Sequence, residues 1–166
     1  MKKEFAGLTL IETIIYLALF TIIIGGSLIA VYQILQASTQ SQEYALIEEE
    51  GNFLMGKLVW AIDTADSVSQ PTRNETGQRL EMSISPGPGP ITFDGADGAN
   101  LTMLGDILNS DSIRVEDVTF THTDVLDDGQ PPRIDFSFKL TSKVTGNSQT
   151  FSFTKYVREL NPSESF

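Results

Sequence analysis

Twenty consecutive residues of this chain, Thr13 to Tyr32 (TIIYLALFTIIIGGSLIAVY), carry no charge. At ~1.5 Å rise per residue, a helix of that length matches the thickness of a bilayer core. The core helix of a water-soluble domain shows a polar stripe, and this segment has none. Secretory signals have shorter apolar regions followed by a small-residue cleavage site, and nothing of that kind follows here. The segment is therefore expected to insert into a membrane. Lys2 and Lys3 precede it and the next basic residue is Lys57. The positive-inside tendency then places the amino terminus in the cytoplasm and everything after Tyr32 outside.

The rest of the 166 residues suffices for one globular domain. Its chemistry is narrowly bounded. With 22 acidic and 11 basic residues the net charge is −11, so no direct nucleic-acid binding through a basic field is expected. The absence of cysteine excludes disulfides, thiolate metal sites and cysteine nucleophiles. The single histidine, His122, stands at the end of a strand pattern with no nucleophile in an interpretable motif, and reads as a surface or edge residue. No phosphate loop or dinucleotide fingerprint occurs. The chain reads as the substrate of an enzyme and not as an enzyme.

Glu12 is the anomaly, an acid at the start of the apolar stretch with no cationic side chain within helical reach. An ionised carboxylate in hydrocarbon costs several kcal/mol unless it is paired. Either Glu12 marks the membrane boundary and faces headgroups, or it has a partner that the primary sequence does not display. The run KKEFAGLTLIE resembles the class III signal of type IV prepilins and type II secretion pseudopilins. In that signal a basic leader ends in glycine, an apolar residue opens the mature chain, and a glutamate stands fifth, ahead of about twenty apolar residues. Leu8 departs from the commoner phenylalanine.

The resemblance implies cleavage between Gly7 and Leu8 by a prepilin peptidase and N-methylation of Leu8. It also implies an assembly role for Glu12. Cutting there removes Lys2, Lys3 and Glu4, leaving 9 basic and 21 acidic side chains of the original 11 and 22. It creates a cationic amine on Leu8, and methylation keeps that charge. Four residues separate it from Glu12, so the pair could close within one helix or between neighbouring subunits. Such a pair selects register more than it adds stability, because the cost lies in leaving either charge alone. Identical staggered contacts that never close give a filament.

Beyond Tyr32 the helical pattern continues. Tyr44, Ile47, Gly51, Leu54, Leu58, Ala61 and Ala65 form an apolar stripe, with Glu48, Glu49, Asn52, Asp63 and Asp66 off it. No proline intervenes between Leu8 and Gln70, so one helix of about 55 residues is expected. Trp60, near the stripe, is expected in the core. Gly25-Gly26 is read equally as a site of close helix approach and as ordinary lipid-facing flexibility. After Gln70 the period falls to two: Leu80, Met82 and Ile84; Ile91 to Phe93; Ile113 to Phe120 with a bulge at Glu116-Asp117; Ile134 to Leu140; Phe151 to Val157. A two-residue Gly146-Asn147 turn would pair Thr145 with Ser148, Leu140 with Phe153 and Phe136 with Val157. The expected fold is α+β and pilin-like, a long amino-terminal helix packed on a four- or five-stranded antiparallel sheet. Its segments are leader 1–7, transmembrane and filament-core half 8–32, amphipathic half 33–68 and exported sheet domain 69–166.

Asp94, Asp97 and Asn100 in FDGADGAN could ligate calcium, although the spacing is not that of an EF-hand; Asp124, Asp127 and Asp128 form a second such group. The competing reading for both is an Asp-Gly turn, and no cofactor is otherwise implied. Taken with the resemblance, the expectation is a minor pilin or minor pseudopilin in the cytoplasmic membrane. Its partners would be the lipid bilayer, the prepilin peptidase, other pilin or pseudopilin subunits and a membrane assembly platform. The alternative is a non-polymerising, signal-anchored extracytoplasmic binding domain, for which Glu12 would have no use. A secreted hydrolase is disfavoured by the lack of a catalytic constellation.

Overall fold

A computed structural model describes residues 9–84, 89–124 and 131–157. One helix, α1 (Leu10–Thr64), is followed by nine strands: β1 (Ser67–Gln70), β2 (Glu75–Gly77), β3 (Arg79–Ser83), β4 (Ile91–Asp94), β5 (Thr102–Met103), β6 (Asp106–Ile107), β7 (Ile113–Thr123), β8 (Arg133–Ser142) and β9 (Ser148–Tyr156). The chain divides into two units, one ending at Gln42 and the other beginning at Glu43.

In the first unit the described chain is helix, and its apolar side chains from Leu10 to Leu35 are all exposed. The helix is long and apolar enough to cross a membrane. Its hydroxyls are satisfied internally: Thr21 Oγ1 donates to Leu17 O at 2.7 Å and Ser27 Oγ to Ile23 O at 2.8 Å. Back-bonding of this kind leaves no stranded donor on an apolar surface.

In the second unit α1 buries Ile47, Gly51, Leu54, Leu58, Ala61 and Ile62. Most of the expected stripe is therefore in place, and Ala65 is buried just beyond the helix end. Tyr44 is instead 43% exposed, at the level where the β8–β9 turn reaches the helix through the Thr145–Glu43 hydrogen bond. Trp60, expected in the core, is 51% exposed.

The strands form two antiparallel sheets rather than the single one expected: β1-β3-β4-β5-β6 and β2-β7-β8-β9. The division arises at Gln78, between β2 of one sheet and β3 of the other. Its carbonyl accepts from Gly95 N at 3.0 Å. A Cβ on Gly95 would lie 2.5 Å from Val118, so the end of β4 packs on the bulge of β7 instead of pairing beside it. The bulge falls where the pattern placed it, between Glu116 and Thr119, with Asp117 at φ 54°. The short polar strands β1, β2, β5 and β6 carry no apolar alternation to announce them.

The β8–β9 hairpin keeps its apolar faces together but in another register. Thr141 pairs with Ser148, Phe138 with Phe151 and Phe136 with Phe153. Gly146, at φ 76°, donates to Ser142 O at 2.9 Å and closes a longer turn than the two-residue one. The displacement is even, so no side chain changes face. Phe138 and Phe151 stack with ring centroids 5.5 Å apart.

Phe151 also fixes the helix. A Cβ on Gly51 would lie 2.1 Å from its Cζ, so the ring rests directly on the helix backbone. Lys155 Nζ reaches Asp63 Oδ1 at 2.8 Å further along. Between the two sheets the buried amide of Asn109 accepts from Leu101 N at 3.0 Å and donates to Ile113 O at 3.0 Å. Ser110 N donates to Glu50 Oε1 at 2.6 Å, tying this loop to the helix.

Two helix glycines are therefore expected to respond oppositely. Gly51→Ala should destabilise by about 1–3 kcal/mol, because the buried Phe151 ring must move. Gly56→Ala, where an added Cβ meets nothing within 4 Å, should stabilise by about 0.5–1 kcal/mol. Thermal unfolding of the full chain in micelles measures both; equal shifts of one sign would refute the close-packed assignment.

Candidate functional site

Glu12 lies in the first turn of α1, with Thr9 three residues before it in capping-box spacing. A carboxylate there is favoured by the helix dipole. Its described partner is Tyr16, whose hydroxyl donates to Glu12 Oε1 at 3.3 Å. This partner is a neutral phenol and not the cation that an acid at the head of an apolar run calls for. The i, i+4 spacing of an acid and a phenol was the available signal. Gly7 and Leu8, the expected cleavage and methylation positions, lie outside the described residues.

The FDGADGAN segment folds as consecutive aspartate turns. Asp94 Oδ1 accepts from Ala96 N at 2.9 Å. Asp97 Oδ1 accepts from Ala99 N at 2.9 Å and Asn100 N at 2.7 Å, and its Oδ2 accepts from the Asn100 side-chain amide at 2.8 Å. These donors, Ala99 N first and then Asn100, hold the Asp97 carboxyl below the usual carboxylate range. Asn100 presents a nitrogen, not an oxygen, to that carboxylate, and its own Oδ1 accepts from Asn109 at 3.3 Å. A calcium ion would have to compete with all three donors at Asp97. Among the described residues no group of three or more His, Asp or Glu side chains is placed to hold a metal.

In the second acidic group, Asp127 and Asp128 lie outside the described residues. Asp124 Oδ2 meets Arg73 Nη1 at 3.3 Å. His122 is fully buried, not at the surface, because the strand re-phased by the bulge turns it inward. Its Nδ1 lies 3.1 Å from Pro71 O.

The outer face of the four-stranded sheet is rich in hydroxyls. Thr119 and Ser137 share a hydrogen bond of 2.7 Å, and Thr76 and Thr121 one of 2.9 Å. Beside them, a hydrogen bond from Thr141 and the nearby charge of Lys139 keep the Glu116 carboxyl below its ordinary range. These are mutual contacts within a polar surface. No family model, curated protein or solved structure matches this chain.

Because the Asp97 carboxyl is depressed in the folded chain, its contribution is present above the ordinary value of about 3.8 and is lost as pH falls through the lower folded value. Asp97→Ala should lower the melting temperature at pH 7, modestly because the group is exposed. The gap from wild type should narrow below about pH 4. A gap constant from pH 7 to 2 would rule out the charged-turn contribution.

Proposed function

We propose that the chain is a structural subunit of a type IV-like filament, of the minor pilin or minor pseudopilin kind. In this reading a prepilin peptidase cuts after Gly7 and Leu8 is methylated. The apolar helix resides in the cytoplasmic membrane with its amino terminus inside and the sheet domain outside. Assembly then draws the helix, with the help of a membrane platform, into contact with neighbouring subunits. Such a filament would serve secretion, DNA uptake, adhesion or motility.

The observation that carries the reading is Glu12, a single carboxylate in the first turn of a helix whose apolar side chains as far as Leu35 are all exposed. A phenol hydroxyl hydrogen-bonds that carboxylate without neutralising it, whereas a cationic chain end would do both. The same Tyr16 contact favours a second reading, a non-polymerising anchor with an extracytoplasmic binding domain, because it gives Glu12 a partner inside one helix.

Two measurements separate the readings. The mature protein should have the mass of residues 8–166 plus one methyl group. Glu12→Val should leave membrane insertion intact while lowering recovery in sheared filaments about tenfold or more, the equivalent of ~1.4 kcal/mol. An amino terminus still beginning at Met1 in functional protein, or unchanged filament recovery, would favour the plain anchor.

A further inference from the structure

The Glu43–Thr64 part of α1 carries a second apolar line that no described residue covers. Leu46, Phe53 and Trp60 recur every seven residues and are 59%, 48% and 51% exposed. Seven residues are nearly two turns, so the three share one seam, on the side of the helix away from Leu54 and Leu58. Gly56 lies between the two rings and leaves a notch, since an added Cβ would meet nothing there. With Asn52 and Lys57 these residues line a shallow groove along the helix. Lys57 Nζ sits 5.6 Å above the Phe53 ring centroid and helps hold that ring in place. Aromatic anchors beside a notch at heptad spacing have the form of a helix-docking surface.

The charges indicate what docks there. Between Glu43 and Thr64 the helix carries five carboxylates and one base, Lys57. Glu49 follows Leu46 by three residues, the second seam position of a heptad, where two apposed copies would bring acid towards acid. Lys155 pairs with Asp63, whereas Glu50 accepts from Ser110 and Glu43 from Thr145, neutral donors that leave those two charges in place. A second copy of this chain is therefore disfavoured by repulsion. A cationic flank on the partner would instead find complementary charge. We infer that this face docks an amphipathic helix of a different protein, one with apolar residues at heptad spacing flanked by lysine or arginine. The inference does not depend on processing of the amino terminus.

Trp60 is the only tryptophan in the chain, so its emission reports the seam directly. The test uses the full chain in nanodiscs of zwitterionic lipid. The probes are two synthetic peptides of about three heptads, both with leucine at the seam, one flanked by lysine and the other by glutamate. The lysine peptide should shift Trp60 emission saturably to the blue, and the glutamate peptide should not. Phe53→Ala and Gly56→Leu, both on the exposed side, should each weaken the lysine peptide about tenfold. The proposal is overturned if the two peptides act alike or if the lysine peptide causes no shift. It is overturned equally if Phe53→Ala leaves binding unchanged, which would mean diffuse charge attraction. Emission already blue-shifted before peptide is added would assign the seam to lipid, to a second copy or to the chain's own residues 158–166.

Discussion

The seat of the Phe151 ring on Gly51 governs how the helix and the four-stranded sheet meet. A side chain at position 51 would hold β9 away from the helix axis and leave Ile47, Leu54 and Leu58 beside a void. The contacts on either side show that strand and helix run in the same direction, Thr145 meeting Glu43 and Lys155 meeting Asp63. A charged or hydroxyl clip on either side thus holds the register that the central ring determines. The Phe138–Phe151 stack passes the same constraint into the sheet.

Gly51 also explains why a residue unfavourable to helices stands in the middle of one. Glycine costs about 1 kcal/mol against alanine in a helix interior. Here that cost is offset by contacts that no larger residue permits. Gly56, five residues later, has no such neighbour. The two glycines are indistinguishable by composition and opposite in consequence.

Long-period features were legible in the sequence and short-range ones were not. The helix, its buried stripe, the strong strands and the bulge at Asp117 all follow from apolar spacing, because burial acts on many residues together. The hairpin register is not legible, since Gly146-Asn147 resembles a tight turn and only the Ser142 hydrogen bonds reveal the longer one. The division into two sheets depends on Gly95 meeting Val118, a contact between residues 23 positions apart that leaves no local trace. Trp60 is half exposed and His122 buried, the reverse of what the bulk of an indole and the polarity of an imidazole suggest. At the candidate site Glu12 stood out through the rarity of an acid in an apolar run. Tyr16 did not, because a tyrosine there looks like any other apolar neighbour.

The extra residue at Asp117 has a consequence that reaches far beyond its own turn. Side chains in a strand alternate, so the frame read from Ile113 and Val115 is reversed at Val118 and Phe120. If the same residues ran as an unbulged strand, Thr119 and Thr121 would point into the core, and Phe120 and His122 would face outward. A chain lacking one residue between Glu116 and Thr119 would instead alternate without interruption and keep Val118, Phe120 and His122 inward. The bulge therefore absorbs an added residue locally, and the same inner face can be encoded with it or without it.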